Sequence, residues 1–376
     1  MIYFDNAAST PMHPDVIKVL NEKMDAFYGN PSSTHAQGRK TKSEIENARR
    51  SIAKCLGCEP GEIYFTSGGT ESDNIVLLNT KSLGCSTIIT SKIEHHAVLN
   101  TAEKLKKSNI DVKYVKLLDN GHINVSHLEE LLKANPKSLV SLMHANNEIG
   151  NKLDLDQVGT LCASHGAFFH SDTVQTVGSH PFHLKNTSVD FIVGSAHKFN
   201  GPKGVGFLYK RKGINLNSIQ YGGSQEKGLR CGTENVLGII GMAKALEICT
   251  AELENKINKL TLLKTQFAKN LSERIPGVTF NGDWDGKSIP TVLNVCFPKT
   301  KNDSMLQFNL DIEGICASSG SACMSGSNTG SYVLAELNIK NSGPSIRFSF
   351  GIFNTLEEVN RASEIICQVL NLECAK

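Results

Sequence analysis

Five stretches of this 376-residue chain place residues able to do chemistry just after a strand-like run. Thr66-Ser67-Gly68-Gly69-Thr70-Glu71 follows Glu62–Phe65, and Glu94-His95-His96 follows Thr87–Thr90. His144-Ala145-Asn146-Asn147-Glu148 follows Leu139–Met143, Ser171-Asp172-Thr173-Val174-Gln175 follows Ala167–His170, and Gly194-Ser195-Ala196-His197-Lys198 follows Val189–Val193. Taken singly, each is an ordinary polar loop, and an isolated histidine is more often structural than catalytic. Taken together they matter, because ligands of open α/β sheets bind beyond the carboxyl ends of the strands.

The types present match the needs of a phosphorylated aromatic cofactor, pyridoxal phosphate. Such a group needs a lysine amine for a Schiff base and an acidic partner for its ring nitrogen, so that the ring draws electrons. Lys198 suits the first need and Asp172 the second. The glycines at 68 and 69, followed by a helix start, offer free backbone N–H groups to a phosphate. That run is neither a P-loop nor a GxGxxG fingerprint, and alone it is equally consistent with a turn and a helix cap.

These residues need a scaffold. Helical periodicity is expected over Asp15–Phe27, with Val16, Leu20, Met24 and Phe27 on one face. Thr41 and Glu44 have capping-box spacing ahead of the stripe Ile45, Ala48, Ile52 and Leu56. Strand-like runs recur at Glu62–Thr66, Thr87–Thr90, Val112–Val115, Leu139–Met143, Ala167–His170, Val189–Val193 and Val205–Tyr209, with helices such as His95–Lys106 and Leu155–Ser164 between them. This alternation predicts an α/β domain with a mostly parallel mixed sheet. One long helix or two should run from Gly241 to about Arg274. Beyond it, strands near Thr291–Phe297 and Ile346–Phe350 and helices near Ser304–Asn309 and Leu356–Leu370 predict a smaller α+β domain. The expected division is 14–255 for the large domain, with 1–13 and 256–376 forming the small one.

Composition bounds the partners. The 39 basic and 37 acidic residues nearly cancel, and no dense basic run suggests nucleic acid or membrane binding. The amino terminus lacks a basic leader and an apolar core, and the stretch Leu237–Cys249 is broken by Gly238, Gly241 and Lys244, so a cytoplasmic protein is expected. Eleven scattered cysteines do not form a disulfide framework. Cys55 and Cys58 have CxxC spacing without a second pair, so packing is expected there and no metal site.

Four runs carry a resemblance: Tyr3-Phe4-Asp5-Asn6-Ala7-Ala8-Ser9-Thr10, Thr66 to Asn74, Asn146-Asn147-Glu148-Ile149-Gly150 and Ala196-His197-Lys198. They resemble the cysteine desulfurases, fold-type I pyridoxal-phosphate enzymes of the class V aminotransferase superfamily, nearly end to end. Ser318-Ser319-Gly320-Ser321-Ala322-Cys323 looks like the family's catalytic-cysteine loop, Gly222 to Thr233 like its dimer-interface loop, and Ser345-Ile346-Arg347-Phe348 like its substrate-carboxylate motif.

The resemblance implies roles. Lys198 would carry the cofactor, His95 would stack on its ring and shuttle protons, and Asp172 would pair with the ring nitrogen. Asn147 and Gln175 would contact the ring-oxygen region, with Asn147 also near the substrate. Gly69, Thr70, Ser195 and His197 would hold the phosphate. Thr233 would reach the phosphate of a neighbouring subunit, which implies a homodimer. Arg347 would bind the carboxylate of L-cysteine, because its rigid fork matches that anion. Cys323 would take the sulfur as a persulfide, releasing alanine, and hand it to a protein acceptor in iron–sulfur cluster assembly or in thiolation of a cofactor or tRNA. Its Gly/Ser-rich surroundings, 318–330, predict a mobile loop.

Cys231 stands where many relatives have Ser. The chain ends at Lys376, whereas members that dock an iron–sulfur scaffold often carry a longer tail. A selenocysteine lyase, another C–S lyase or a class V aminotransferase would share Lys198, Asp172 and Arg347, and a transaminase would not need Cys323. A non-catalytic assembly partner is a further alternative, against which the complete set of Lys, Asp, His and Arg argues.

Overall fold

The computed structural model describes residues 1–299, 305–319, 331–337 and 343–370. Strand β1 (Ile2–Tyr3) is followed by helices α1 (Pro14–Lys23) and α2 (Ala36–Leu56). Helix α1 stops four residues short of the periodic pattern, leaving Met24 56% exposed, while Val16 is buried. Helix α2 starts before the expected capping box. His35 is its cap, accepting the Gly38 N–H at Nδ1, and Thr41 lies inside the helix, where its hydroxyl donates to the Gln37 carbonyl. The stripe Ile45, Ala48, Ile52 and Leu56 is buried as its spacing predicts.

The central elements then alternate: β2 (Ile63–Thr66), α3 (Gly69–Leu78), β3 (Thr87–Thr90), α4 (His96–Lys106), β4 (Asp111–Tyr114), α5 (Val125–Ala134), β5 (Leu139–Ser141), α6 (Leu155–Ser164), β6 (Phe168–Asp172), β7 (Phe191–Ser195) and β8 (Gly206–Lys210). Helix α5 has no counterpart among the expected elements; Asn124 caps it by accepting the His127 N–H. The strands form one sheet in the order β2-β8-β7-β6-β5-β3-β4. Neighbours from β7 through β4 are parallel, and β8 is antiparallel to both β7 and β2. This is the expected α/β architecture with a mostly parallel mixed sheet.

The sheet is covered on both faces, as parallel strands require. Successive strand residues alternate between two cores. Val140 and Ile192 join the α2 side with Ile52 and Met242, whereas Leu139, Phe191 and Val193 join the α3 and α4 side with Val76 and Val98. Helix α7 (Val236–Ala251) is apolar nearly all round because it is buried among α1, α2 and the sheet. Glu252 separates it from α8 (Leu253–Arg274), so the long helical pattern resolves into two helices.

A second core surrounds β9 (Thr279–Asn281), β10 (Val292–Cys296) and β12 (Ser345–Ser349), an antiparallel sheet ordered β12-β10-β9. Helices α9 (Leu306–Ile312), α10 (Tyr332–Glu336) and α11 (Leu356–Val369) and strand β11 (Ile315–Cys316) complete the carboxyl-terminal part. Phe267 of α8 meets the rings of Phe4, Phe348 and Phe350 edge-on, at 5.6, 5.0 and 5.8 Å. The amino terminus is therefore packed into this second core. Strand β1 pairs in parallel with β11, and Asp5 bridges to Ser349.

Cys58 is buried in the main core and Cys55 packs against it. Burial pushes the Cys58 thiol up to about 12. No cluster of metal-ligating side chains occurs among the described residues, and no described helix is long and apolar enough to cross a membrane.

One close approach ties the sheet to the glycine turn. A Cβ built on Gly206 would lie 2.4 Å from the Gly194 carbonyl oxygen and 2.6 Å from Gly68 Cα. Gly206→Ala should therefore lower stability by about 1–3 kcal/mol. Urea unfolding reads this directly, and a variant as stable as the parent would refute the tight packing of β8 on Gly68.

Candidate active site

A cavity of about 490 Å³ opens at the carboxyl ends of the central strands. Its walls include Gly69, Thr70, His95, Asn147, Asp172, Gln175, Ser195, His197, Lys198 and Arg347. Ten of the residues singled out in the sequence thus converge on one space. Thr233 instead lines a smaller neighbouring cavity with Arg230 and Glu226; the two cavities share Ser67 and Gly204. Cys323 lies outside the described residues.

Lys198 closes the one-turn helix Ala196–Lys198 that follows β7. Its Nζ donates to the carbonyls of Ala7 (2.6 Å) and Ala8 (2.8 Å). Those carbonyls come from the amino-terminal segment, which is laced to the lysine's own loop. The Thr10 hydroxyl and N–H both donate to the His197 carbonyl, and Asn200, in the left-handed region at φ 65°, donates its side-chain amide to Pro11. Gln175 Nε2 adds a bond to the Ala7 carbonyl at 3.1 Å.

Asp172 ends β6, and its Oδ1 accepts the Val174 N–H at 2.9 Å. Burial pushes its carboxyl up, opposed by His95 and Lys198. His95 caps α4, taking the Ala97 N–H at Nδ1, and burial holds its imidazole below the usual value. His197 is pushed down to about 4 by burial and by Lys198 and Lys203, and its Nδ1 lies 3.2 Å from Ser9 Oγ. Burial therefore favours the neutral form of both imidazoles.

The glycine turn is built for an anion. Gly68 sits at φ 156°, ψ −174°, a region essentially confined to glycine. No side chain caps the following helix, so the first-turn N–H groups of α3 remain available to an anion in the cavity. A Cβ on Gly69 would come within 2.6 Å of Val174 Cγ2, so bulk is excluded at the cradle's floor.

Three buried polar atoms on the cavity residues lack hydrogen-bond partners: Asp73 Oδ1, Asn147 Oδ1 and Arg347 Nε. Buried polar groups are nearly always satisfied, so Asn147 Oδ1 and Arg347 Nε are open to a ligand, whereas Asp73 Oδ1 faces His170. Arg347, in β12, is almost wholly buried. Its Nη2 donates to Asp5 Oδ1 (2.8 Å) and its Nη1 to the Asn147 carbonyl (3.0 Å), which leaves donors over for an anion. Asp5 Oδ1 also accepts the Ser318 hydroxyl at 2.9 Å. Ser318 is pinned to Arg347 by a reciprocal pair of backbone bonds at 3.2 and 2.7 Å.

Sequence reasoning missed the Ala7 and Ala8 carbonyls, Asp5, Ser9 and Asp73. Backbone acceptors leave no trace in residue type. Asp73 did leave one, since it lies on the inner face of α3 beside Gly69, Ser72 and Val76, where a charge is out of place. Asp73 Oδ1 lies 3.3 Å from His170 Nε2, though the two are not aligned as a hydrogen bond; His170 Nδ1 is 2.9 Å from Ser141 Oγ. Burial raises the Asp73 carboxyl well above its usual range, helped by Asp172 and Glu94, and lowers His170 to about 3.

The consequence for stability has a definite sign. His170 stays neutral in the fold down to about 3 but protonates near 6.5 in the unfolded chain. Its stabilising contribution is thus full above pH 6.5 and falls as pH drops toward 3. His170→Gln should flatten the loss of stability between pH 6.5 and 4.5 by up to about 1.4 kcal/mol per pH unit. Urea denaturation of parent and variant across that range measures it; parallel curves would rule out a neutral buried His170.

The described geometry has relatives. The family model for Aminotransferase class-V matches residues 2–362. The cysteine desulfurase IscS of Dictyoglomus turgidum is 40% identical over 377 residues, covering 98% of this chain and 94% of that protein. A relative from Bacillus subtilis (strain 168), which bears a cysteine desulfurase IscS 1 name, is 41% identical over 378 residues, 98% of each chain. Among solved structures, a NifS-like protein superposes with a TM-score of 0.91 at 36% identity, covering 98% of this chain and 99% of that one. The structure of SspA in complex with cysteine superposes with a TM-score of 0.81 at 31% identity over 94% of this chain and all of that one.

Proposed function

The chain belongs to the class-V aminotransferase family, and from that premise we propose that it is a cysteine desulfurase, converting L-cysteine to L-alanine while passing the sulfur to Cys323. The observation that carries the reading is the joint presence in one cavity of Lys198, Asp172, the uncapped amides of α3 and Arg347. That set fits pyridoxal phosphate end to end. Lys198 would hold it covalently, Asp172 would face the ring nitrogen, and Asn147 and Gln175 would face the ring oxygen. Gly69, Thr70, Ser195 and His197 would surround the phosphate.

When bound, the cofactor supplies an electron sink for negative charge at the substrate Cα. The chain does the rest. Arg347 draws the substrate carboxylate, and its orphaned Nε fixes the orientation. Asp5 balances the arginine's charge without filling its fork. The Ala7 and Ala8 carbonyls aim Lys198 Nζ, which as a free amine would be the base that accepts the Cα proton. Asp172 is costly to ionise in its buried setting, so a cationic ring nitrogen opposite is its natural counter-charge. His95, whose burial favours the neutral imidazole, would lie against the ring and relay protons.

The Cys323 thiolate then attacks the substrate sulfur. An S–S bond forms, the C–S bond breaks, and the electron pair stays with the carbon skeleton, which is protonated to alanine. Cys323 is five residues beyond Ser318, which is fixed on Arg347, so extended chain limits its reach to about 17 Å from that anchor. On the far side, Ser331 donates to Glu148 and the Tyr332 hydroxyl to the Glu94 carbonyl (2.7 Å). Both anchors flank the cavity.

The reading extends to partners. Thr233 stands outside its own Lys198 cavity, which supports its service to the phosphate of a second copy in a homodimer. The persulfide would pass to a protein acceptor of the iron–sulfur or thiolation kind. Separate cores around the two sheets support a large domain at 14–255 and a small one built from 1–13 and 256–376.

Purified protein with pyridoxal phosphate, L-cysteine and a thiol reductant should release sulfide and alanine in equal amounts. Cys323→Ala should lower that turnover at least about a hundredfold while keeping the cofactor's absorbance band, and Lys198→Ala should abolish both. Sulfide and alanine persisting in Cys323→Ala would point to a direct C–S lyase. No turnover of cysteine by the parent would return the chain to the aminotransferases.

A further inference from the structure

Strand β2 is an edge strand, hydrogen-bonded to β8 on one side only. An open edge leaves N–H and C=O groups without strand partners. Here two side chains stand in for the missing strand. Arg49 Nη1 donates to the Ile63 carbonyl (2.8 Å), and the Glu226 carboxylate accepts the Phe65 N–H (2.8 Å). The two side chains also pair bidentately with each other at 2.8 and 2.7 Å, and they are only 8% and 2% exposed. The guanidinium lies 4.5 Å from the centre of the Phe65 ring.

An ordinary edge repair does not need strained backbone, yet this one has it. Glu226 and Lys227 are consecutive non-glycine residues in the left-handed region, at φ 46° and 57°. Such conformations persist where surroundings over-determine them, and they gather at functional sites. The segment from Ser224 to Thr233 is indeed held at several points. Lys227 Nζ donates to the Gly61 carbonyl (3.0 Å), and the Gly232 N–H donates to Gln225 Oε1 (3.1 Å), immediately before Thr233. Arg230 Nε donates to Glu71 Oε1 (2.9 Å), and Glu71 Oε2 accepts the Ser67 N–H (2.7 Å).

The phosphate cradle is therefore gripped on both sides from one segment. Glu226 fixes Phe65 just before the turn. Arg230, acting through Glu71, fixes Ser67 within it. Neither Arg49 nor Glu226 lines the Lys198 cavity, so any effect they have on the ligand acts through this framework.

We propose that Arg49 and Glu226 are positioning residues for phosphate recognition: their buried ion pair sets the end of β2 and the 224–233 segment together, so that the Gly68-Gly69 turn and the Thr233 hydroxyl are each presented in the geometry a phosphate monoester requires. The inference rests on the reading of the cavity as a pyridoxal-phosphate site.

The test separates phosphate from ring. The full chain, freed of cofactor, is titrated with pyridoxal phosphate and with pyridoxal, which lacks the phosphate, and binding is followed by absorbance. Glu226→Gln keeps the side-chain shape and an acceptor for Phe65 but loses the charge; Arg49→Lys keeps the charge but loses the fork. Each is expected to weaken pyridoxal phosphate roughly tenfold or more and to leave pyridoxal binding unchanged. Equal weakening of both ligands, or a lower melting temperature with both affinities intact, would overturn the proposal, since either marks a merely structural pair. A parent protein that took up neither ligand would overturn the reading of the cavity, and with it this inference.

Discussion

The pairing of Arg347 with Asp5 is the contact on which the rest of the site depends. A guanidinium this deeply buried is tolerated only with its charge balanced. The partner it uses lies 342 residues away in sequence. Through that one contact the amino-terminal segment, β12, the Asn147 loop of the central sheet and Ser318 are brought to a single point. Because Asp5 is fixed, Ala7 and Ala8 are also fixed, and their carbonyls hold Lys198. A lysine that must be aimed and an arginine that must remain receptive are thus set by the same short arm.

The central sheet contributes the other half of the arrangement. Parallel strands end at one edge, so Asp172, Ser195 and the loops carrying His95, Asn147 and Lys198 emerge together without special provision. The chemical types at those ends divide the cavity into an anion-seeking end near Gly68, a charge-pairing centre at Asp172 and Lys198, and a second anion-seeking end at Arg347. A ligand with a phosphate at one pole and a carboxylate at the other is the shape this division asks for.

Much of this was legible in the residues. The seven central strands fall within two residues of their expected starts because buried strands read as short apolar runs bounded by turn residues. Lys198, Asp172 and the glycine turn were legible because their types are unusual directly after such runs. What was hidden has physical reasons. Helix α2 begins on His35, whose ring nitrogen acts as a cap, and histidine is not among the residues that announce a helix start. Met24 fits the helical period yet is exposed, since α1 closes at Lys23 and Met24 is its carboxyl-terminal cap. The Ala7 and Ala8 carbonyls and the Arg49–Glu226 contact depend on long-range closure, which no local pattern encodes.

The interlacing of the two chain ends has a consequence for biosynthesis. The amino-terminal arm leaves the ribosome long before its partners Cys316, Arg347 and Ser349. At about 5–20 residues per second, the arm waits roughly 20–70 s for them. During that interval the central sheet can assemble around an unfinished cavity, with Lys198 present but not yet aimed. The cavity is therefore complete only once β12 has joined the amino-terminal arm, because Arg347 and the contacts that hold Asp5 arrive with that late strand.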